Sequence, residues 1–223
     1  MASDTNTQPD SLVWLITGCS SGFGIEFVRQ ILDRGDRVIA TARNPSKVAN
    51  HPSLPQADDN LSLLPLDVTA SQHSLNETIA IAIKMYGKID VLVNNAGYVA
   101  LGGWEDLGYD GFVKQFETNV FGLLKVTNAV LPHMRERKSG TLVFISSLSG
   151  WKGDGFCGAY GASKFAVEGS FLPFPSAFEK SLDQQSADRN DALQEWSKPS
   201  KKKSNHLASA PFSSSQACSG PTC

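Results

Sequence analysis

The strongest constraint on how this chain can fold is a glycine turn set between an apolar run and a helical pattern. Leu12-Val13-Trp14-Leu15-Ile16 reads as a buried strand, Thr17-Gly18-Cys19-Ser20-Ser21-Gly22-Phe23-Gly24 follows at once, and Ile25 to Leu32 carries apolar residues at helical spacing. A chain that passes from strand to helix through so short a turn lays the helix on a face of its sheet. The following strand then returns parallel to the first.

The rest of the pattern agrees. Arg37 to Ala42 reads as a second strand and Leu61 to Leu66 as a third, ending at Asp67. Ser71 to Tyr86 is helical and is stopped by Gly87. Ile89 to Val93 is a fourth strand, Phe112 to Arg135 a long helix, and Thr141 to Ile145 a fifth strand. Such alternation predicts an α/β fold: a Rossmann-like, doubly wound parallel sheet in a single domain over residues 12–170. Residues 1–11 are expected to be a flexible N-terminus. Residues 171–223, rich in Ser, Gln, Asn and Lys after a Pro-broken stretch, are expected to form a divergent, disordered tail with at most a short helix near residues 186–196.

Composition narrows the function classes. The formal net charge of −2 provides no global attraction to nucleic acid or an anionic membrane, which leaves a small molecule as the expected partner. The basic cluster Lys198 to Lys203 reads as a solvated linker rather than a nuclear address. No stretch approaches a membrane span and residues 1–10 lack a secretory pattern, so a cytoplasmic protein is expected. Cys19, Cys157, Cys218 and Cys223 have no paired spacing; free thiols and no metal site are expected.

The glycine turn is suited to a dinucleotide. Gly18 permits the tight turn, Gly22 lets backbone approach a pyrophosphate, and Gly24 lets the helix pack closely on the strand. The helix N-terminus favours an anion, and Ser20, Ser21 and Ile25 complete the expected contacts there. Past the second strand, where an acidic residue would receive an NAD ribose, stands Arg43. Arg43 suits a 2′-phosphate, with Thr41 leaving room for it, so NADP (NADPH) is expected over NAD; a solvated surface arginine is the plainer alternative.

Tyr160 and Lys164 are one helical turn apart and project from one face. An ammonium beside a phenol favours the phenolate, as acid–base work near neutrality demands. Alone, this spacing is weak. Together with the glycine turn at 17–24, Asn94-Asn95-Ala96-Gly97 after the fourth strand and Ser147 after the fifth, the chain resembles the short-chain dehydrogenase/reductase family. The resemblance implies that Asp67 contacts adenine and that the segment Asn94, Asn95, Ala96 and Gly97 supports the sheet and lines the cofactor cleft. It implies a catalytic set of Asn119, Ser147, Tyr160 and Lys164. Asn119 would hold a helix kink and a water of the proton relay, and Ser147 the substrate oxygen. Tyr160 would be the general acid or base, and Lys164 would bind the nicotinamide ribose and favour the phenolate.

The resemblance covers Leu12 to Gly169 and stops inside the helix that carries Lys164. The family's sixth strand, its Pro-Gly segment, its substrate loop and its last strand are not recognisable afterwards. A frameshift, a retained intron or a wrongly joined exon is the expected origin of the text beyond Gly169, leaving exposed apolar surface and an open sheet edge. The leading expectation is an NADP-dependent oxidoreductase acting on a ketone or secondary alcohol, with a homodimer as the family's usual assembly. The alternative is a truncated, non-catalytic nucleotide-binding remnant. An extended-family epimerase or dehydratase fits less well, because those members space their turn as TGxxGxxG.

Overall fold

Among the described residues, five strands form one parallel sheet: β1 (Val13–Ile16), β2 (Arg37–Ala42), β3 (Leu61–Pro65), β4 (Val91–Asn94) and β5 (Thr141–Phe144). Their order across the sheet is β3-β2-β1-β4-β5. The computed structural model describes residues 11–55 and 58–171. The expectations for the arm before residue 11, for the tail beyond residue 171 and for a short helix near residues 186–196 lie outside the described residues.

Alternation along the strands assigns each side chain to a layer. Val13 and Leu15 of β1, Ile39 of β2 and Leu92 of β4 point to one face, where Leu75 and Ile79 of α3 (Gln72–Tyr86) and Val126, Val130 and Met134 of α5 (Leu123–Arg137) cover them. Ile16, Val38, Ala40, Val91 and Val93 point to the other face, under Ile25, Val28 and Ile31 of α1 (Phe23–Asp33). Strands buried on both sides read as continuous apolar runs, which is why the sequence shows them so plainly. A one-turn helix, α2 (Ser46–Ala49), follows β2.

The long helix is where the structure departs from expectation. It begins at Trp104 rather than Phe112, as α4 (Trp104–Phe116), passes through a π-helical turn (Glu117–Gly122) and continues as α5. The Asp106 carboxylate accepts the Gly103 N–H at 3.1 Å and starts α4 early. Gly108, at φ 53, then kinks it and masks the helical period. A 3-10 turn (Leu148–Gly150) follows β5, and α6 (Gly158–Phe171) carries Tyr160 and Lys164.

Candidate active site

Between β1 and β4 the winding of the sheet reverses, and the segments leaving the carboxyl ends of neighbouring strands diverge to open a crevice. A cavity of 510 Å³ lies there, within the usual range for a ligand site. Its floor is the glycine turn. Thr17, buried, accepts the N–H groups of Asn95 and Ala96 at 3.0 Å each, and the Asn95 amide donates to the carbonyls of Thr17 (2.9 Å) and Gly18 (3.1 Å). Gly18 has φ +73, and a Cβ there would stand 2.8 Å from the Ala96 Cα. These contacts fix the turn against the loop after β4 without a ligand.

Gly18, Ser20, Ser21 and Gly22 line the cavity. Gly22, at φ 59, caps α1 with no side-chain hydrogen bond, so the first-turn N–H groups are left for an anion. Gly24 lies behind the lining, where a Cβ would meet Cys19 Cα at 2.8 Å. Ile25, expected among the cofactor contacts, is buried in the core with its side chain and is not part of the lining. Cys19 is also buried, and burial pushes its thiol up to about 12, so it is inert.

At the far end the cavity meets Ala42, Arg43 and Asp67. Arg43 is exposed and makes no hydrogen bond among the described residues. Burial opposes ionisation of Asp67, but the Thr69 N–H (2.9 Å) and hydroxyl (2.8 Å) on its Oδ1, with the charges of Arg43 and Lys125, hold its carboxyl below the ordinary value. Thr41 corrects the sequence reading. It is fully buried, donates to the Ile16 carbonyl at 2.9 Å and does not line the cavity; Ala42 is the small residue beside Arg43.

Tyr160 and Lys164 both reach the cavity from α6. The Lys164 Nζ donates to the Ile145 carbonyl at 2.6 Å and lies 5.8 Å from the centroid of the Tyr160 ring. Burial pushes its ammonium below the ordinary lysine value, and the Glu168 carboxylate acts the other way. A buried ammonium with a single protein acceptor keeps two N–H groups for something else. Ser146 likewise lines the cavity with a buried hydroxyl that has no partner among the described residues. Uncapped N–H groups, a spare ammonium and an orphaned hydroxyl along one crevice fit a nicotinamide dinucleotide.

Other expected residues stand outside the lining. Asn94 is buried and donates from Nδ2 to Thr127 Oγ1 at 3.0 Å, while Asn95, Ala96 and Gly97 form the wall. Asn119 sits in the π-helical turn behind the cavity: its Oδ1 accepts the Tyr98 N–H (3.1 Å), and its Nδ2 donates to the Tyr98 carbonyl (3.0 Å) and Ser163 Oγ (3.2 Å). Ser163 passes the contact on by donating to the Tyr160 carbonyl at 2.7 Å. Ser147 caps the 3-10 turn, accepting the Ser149 N–H at 3.2 Å, and Ser146 rather than Ser147 is part of the lining.

Sequence reasoning missed Thr17, Gln115 and Ser163 and did not single out Asn95 within the Asn94–Gly97 segment. Gln115 is fully buried, accepting the Ala100 N–H at 2.7 Å and donating to the Tyr98 carbonyl at 2.8 Å, so it shapes the loop beside the cavity. A signal existed: Gln115 and Ser163 are polar residues at buried helix positions, where a partner is obligatory. Among the described residues no helix is long and apolar enough to cross a membrane, and no cluster of three metal-ligating side chains occurs.

Known proteins resemble the chain in sequence and in fold. An oxidoreductase of Botryotinia fuckeliana, BOA17, is 38% identical over 70% of this chain and 57% of its own length. The structure of ElxO with NADP bound superposes with a TM-score of 0.70 at 32% identity, covering 75% of this chain and 68% of that one. An NAD+-bound xylitol dehydrogenase superposes with a TM-score of 0.63 at 28% identity, covering 71% and 62%. The chain spans about half the length of the curated relatives it matches. The sequence model of the short chain dehydrogenases matches residues 12–174, and with the parallel sheet and its crevice already in place, the chain belongs to that oxidoreductase family.

Proposed function

We propose that the chain transfers a hydride between NADP and a ketone or secondary alcohol, with Tyr160 as the general acid in reduction and the general base in oxidation. The observation that carries this reading is the buried Lys164 ammonium, placed in the cavity beside the Tyr160 ring and only partly satisfied by the Ile145 carbonyl. A bound nicotinamide cofactor would supply or accept the hydride. Its phosphates would meet the α1 N-terminus and the Ser20–Gly22 turn. Arg43 would take a 2′-phosphate, which favours NADP over NAD.

Tyr160 holds the proton that a carbonyl oxygen receives as negative charge grows on it. Lys164 stabilises the phenolate left behind by its charge and keeps N–H groups for a ribose. Asn119 is a positioning residue: through Ser163 it fixes the backbone of α6 at Tyr160, and through Tyr98 it fixes the facing loop. Ser147, at the end of β5, would hold the substrate oxygen once its hydroxyl turns from the Ser149 N–H.

The engaged Ser147 hydroxyl favours a second reading, a nucleotide-binding remnant without turnover. NADPH fluorescence titration and a turnover assay with simple ketones separate the two. Binding with turnover that Tyr160→Phe abolishes supports the oxidoreductase; binding without turnover supports the remnant.

A further inference from the structure

Resting on the hydride-transfer reading of the same crevice, we infer that the substrate is a neutral, apolar ketone or secondary alcohol and that Phe156 is a specificity-determining residue for it. Two loops flank Tyr160: residues 98–103 after β4 and residues 151–157 before α6. They are tied together, because the Gly102 N–H donates to the Phe156 carbonyl at 3.0 Å. The Trp104 indole closes over the start of α6, so near that a Cβ on Gly158 would lie 3.0 Å from its Nε1.

Apart from Lys152, which pairs with Asp154, the most exposed large side chains of these segments are apolar. Val99 lines the cavity itself; Leu101, Trp151 and Phe156 on the same two loops are exposed outside its lining, Trp151 by 66% and Phe156 by 76%, as are Trp104 at the start of α4 and Leu148 in the 3-10 turn. Single exposed apolar residues are ordinary, but several on two joined loops beside a cavity mark a surface that meets something apolar. Charged neighbours are already engaged. Lys152 pairs with Asp154 at 3.1 Å, Asp154 also accepts the Ser149 hydroxyl at 3.3 Å, and Asp106 accepts the Gly103 N–H. Glu105, exposed on the first turn of α4, disfavours an anionic substrate.

Phe156 adds a second, independent observation. It has φ 60, in the left-handed region that a bulky side chain avoids. The ring gains no burial in return. A disfavoured backbone that holds an aromatic ring in water beside a candidate active site is repaid by what that ring meets on binding.

The test measures binding and turnover separately. With saturating NADP+, ketones cannot be reduced, so calorimetric titration of the full chain with butan-2-one, hexan-2-one and octan-2-one reads the apolar surface alone. Kd should fall roughly three- to fourfold per added methylene, on the order of a hundredfold across the series, and dihydroxyacetone should bind more weakly than butan-2-one. Phe156→Gly should flatten that slope without lowering the unfolding temperature, because glycine relieves the backbone; Trp151→Ser should flatten it independently. Equal Kd values across the series, no binding of any ketone, or tighter binding of dihydroxyacetone overturns the apolar class. A Phe156→Gly protein that unfolds earlier yet keeps the slope overturns the role of Phe156. An intact slope without NADPH-dependent turnover leaves the apolar surface standing and overturns the hydride-transfer reading instead.

Discussion

At the amino ends of the central strands, Asp36 and Asp90 are fully engaged, whereas at the carboxyl ends Arg43, Lys164 and Ser146 keep capacity in hand. Asp36 accepts the Leu12 N–H at 2.9 Å and the Trp14 indole N–H at 3.1 Å. Asp90 accepts the Val13 N–H at 2.9 Å and pairs with Arg137 at 2.6 Å and Lys88 at 3.0 Å. At the other end Lys164 has one acceptor and the Ser146 hydroxyl none among the described residues. A buried polar group that is satisfied holds a fold together, and one left short costs stability until a ligand arrives. The contrast therefore separates residues that maintain the sheet from residues that await a partner.

The sharpest break is expected at the carboxyl end. Tyr160→Phe should lower kcat by roughly a thousandfold, the scale of a lost general acid, with NADPH affinity and unfolding temperature unchanged. Steady-state kinetics beside a thermal melt checks both halves. At the amino end the reverse is expected: Asp90→Ala removes the carboxylate partner of Arg137, leaving it the Ile89 carbonyl, strands the Val13 N–H and should cost about 3 kcal/mol in urea unfolding.

Asp90 also sets a pH signature. Burial opposes its ionisation, but hydrogen bonds from Arg137 and the Val13 N–H prevail, so its folded pKa lies below the unfolded value. The stabilisation is complete above the unfolded pKa and is lost as pH falls through the folded one; acid titration of Asp90→Ala should lack that loss.

Smaller effects sharpen the comparison. Arg43→Ala should weaken NADPH about tenfold, leave NADH unaffected and move stability by less than about 0.5 kcal/mol. Lys164→Met should stabilise the ligand-free protein by about 1 kcal/mol near neutral pH while removing turnover, since it replaces a buried, under-satisfied charge. The sign follows from burial: the folded pKa of Lys164 lies below the unfolded value, so its cost is present at low pH and fades as pH rises through the folded pKa. Activity that needs its charge should decline at that same alkaline limb.

How far the sequence revealed all this depended on burial. The strands were legible because the central ones are covered on both faces and read as nearly continuous apolar runs. For the same reason the faces could not be told apart: Thr41 and Ala42 are both buried, and only the geometry shows that Ala42 borders the crevice. The glycine turn, Tyr160 and Lys164 were legible because spacing alone puts them on one turn or one helix face. Asn94 and Asn95 were not separable, since their roles divide at the last residue of β4. The start of α4 was hidden by Gly108 and Gly111, which lower helical propensity where Asp106 and the packing of Trp104 on Phe112 compensate.

The π-helical turn at Glu117–Gly122 makes one short stretch of the chain sensitive to length more than to composition. A π turn takes up one residue beyond what the helix axis needs. Losing a residue between 117 and 122 would let α4 and α5 run on as one regular helix with their apolar faces still in phase, and the sheet would keep its cover. What would vanish is the bulge that brings Asn119 against Tyr98 and Ser163. A single-codon deletion there would spare the architecture and remove the brace behind Tyr160, a lesion that a stability screen would pass and an activity screen would catch.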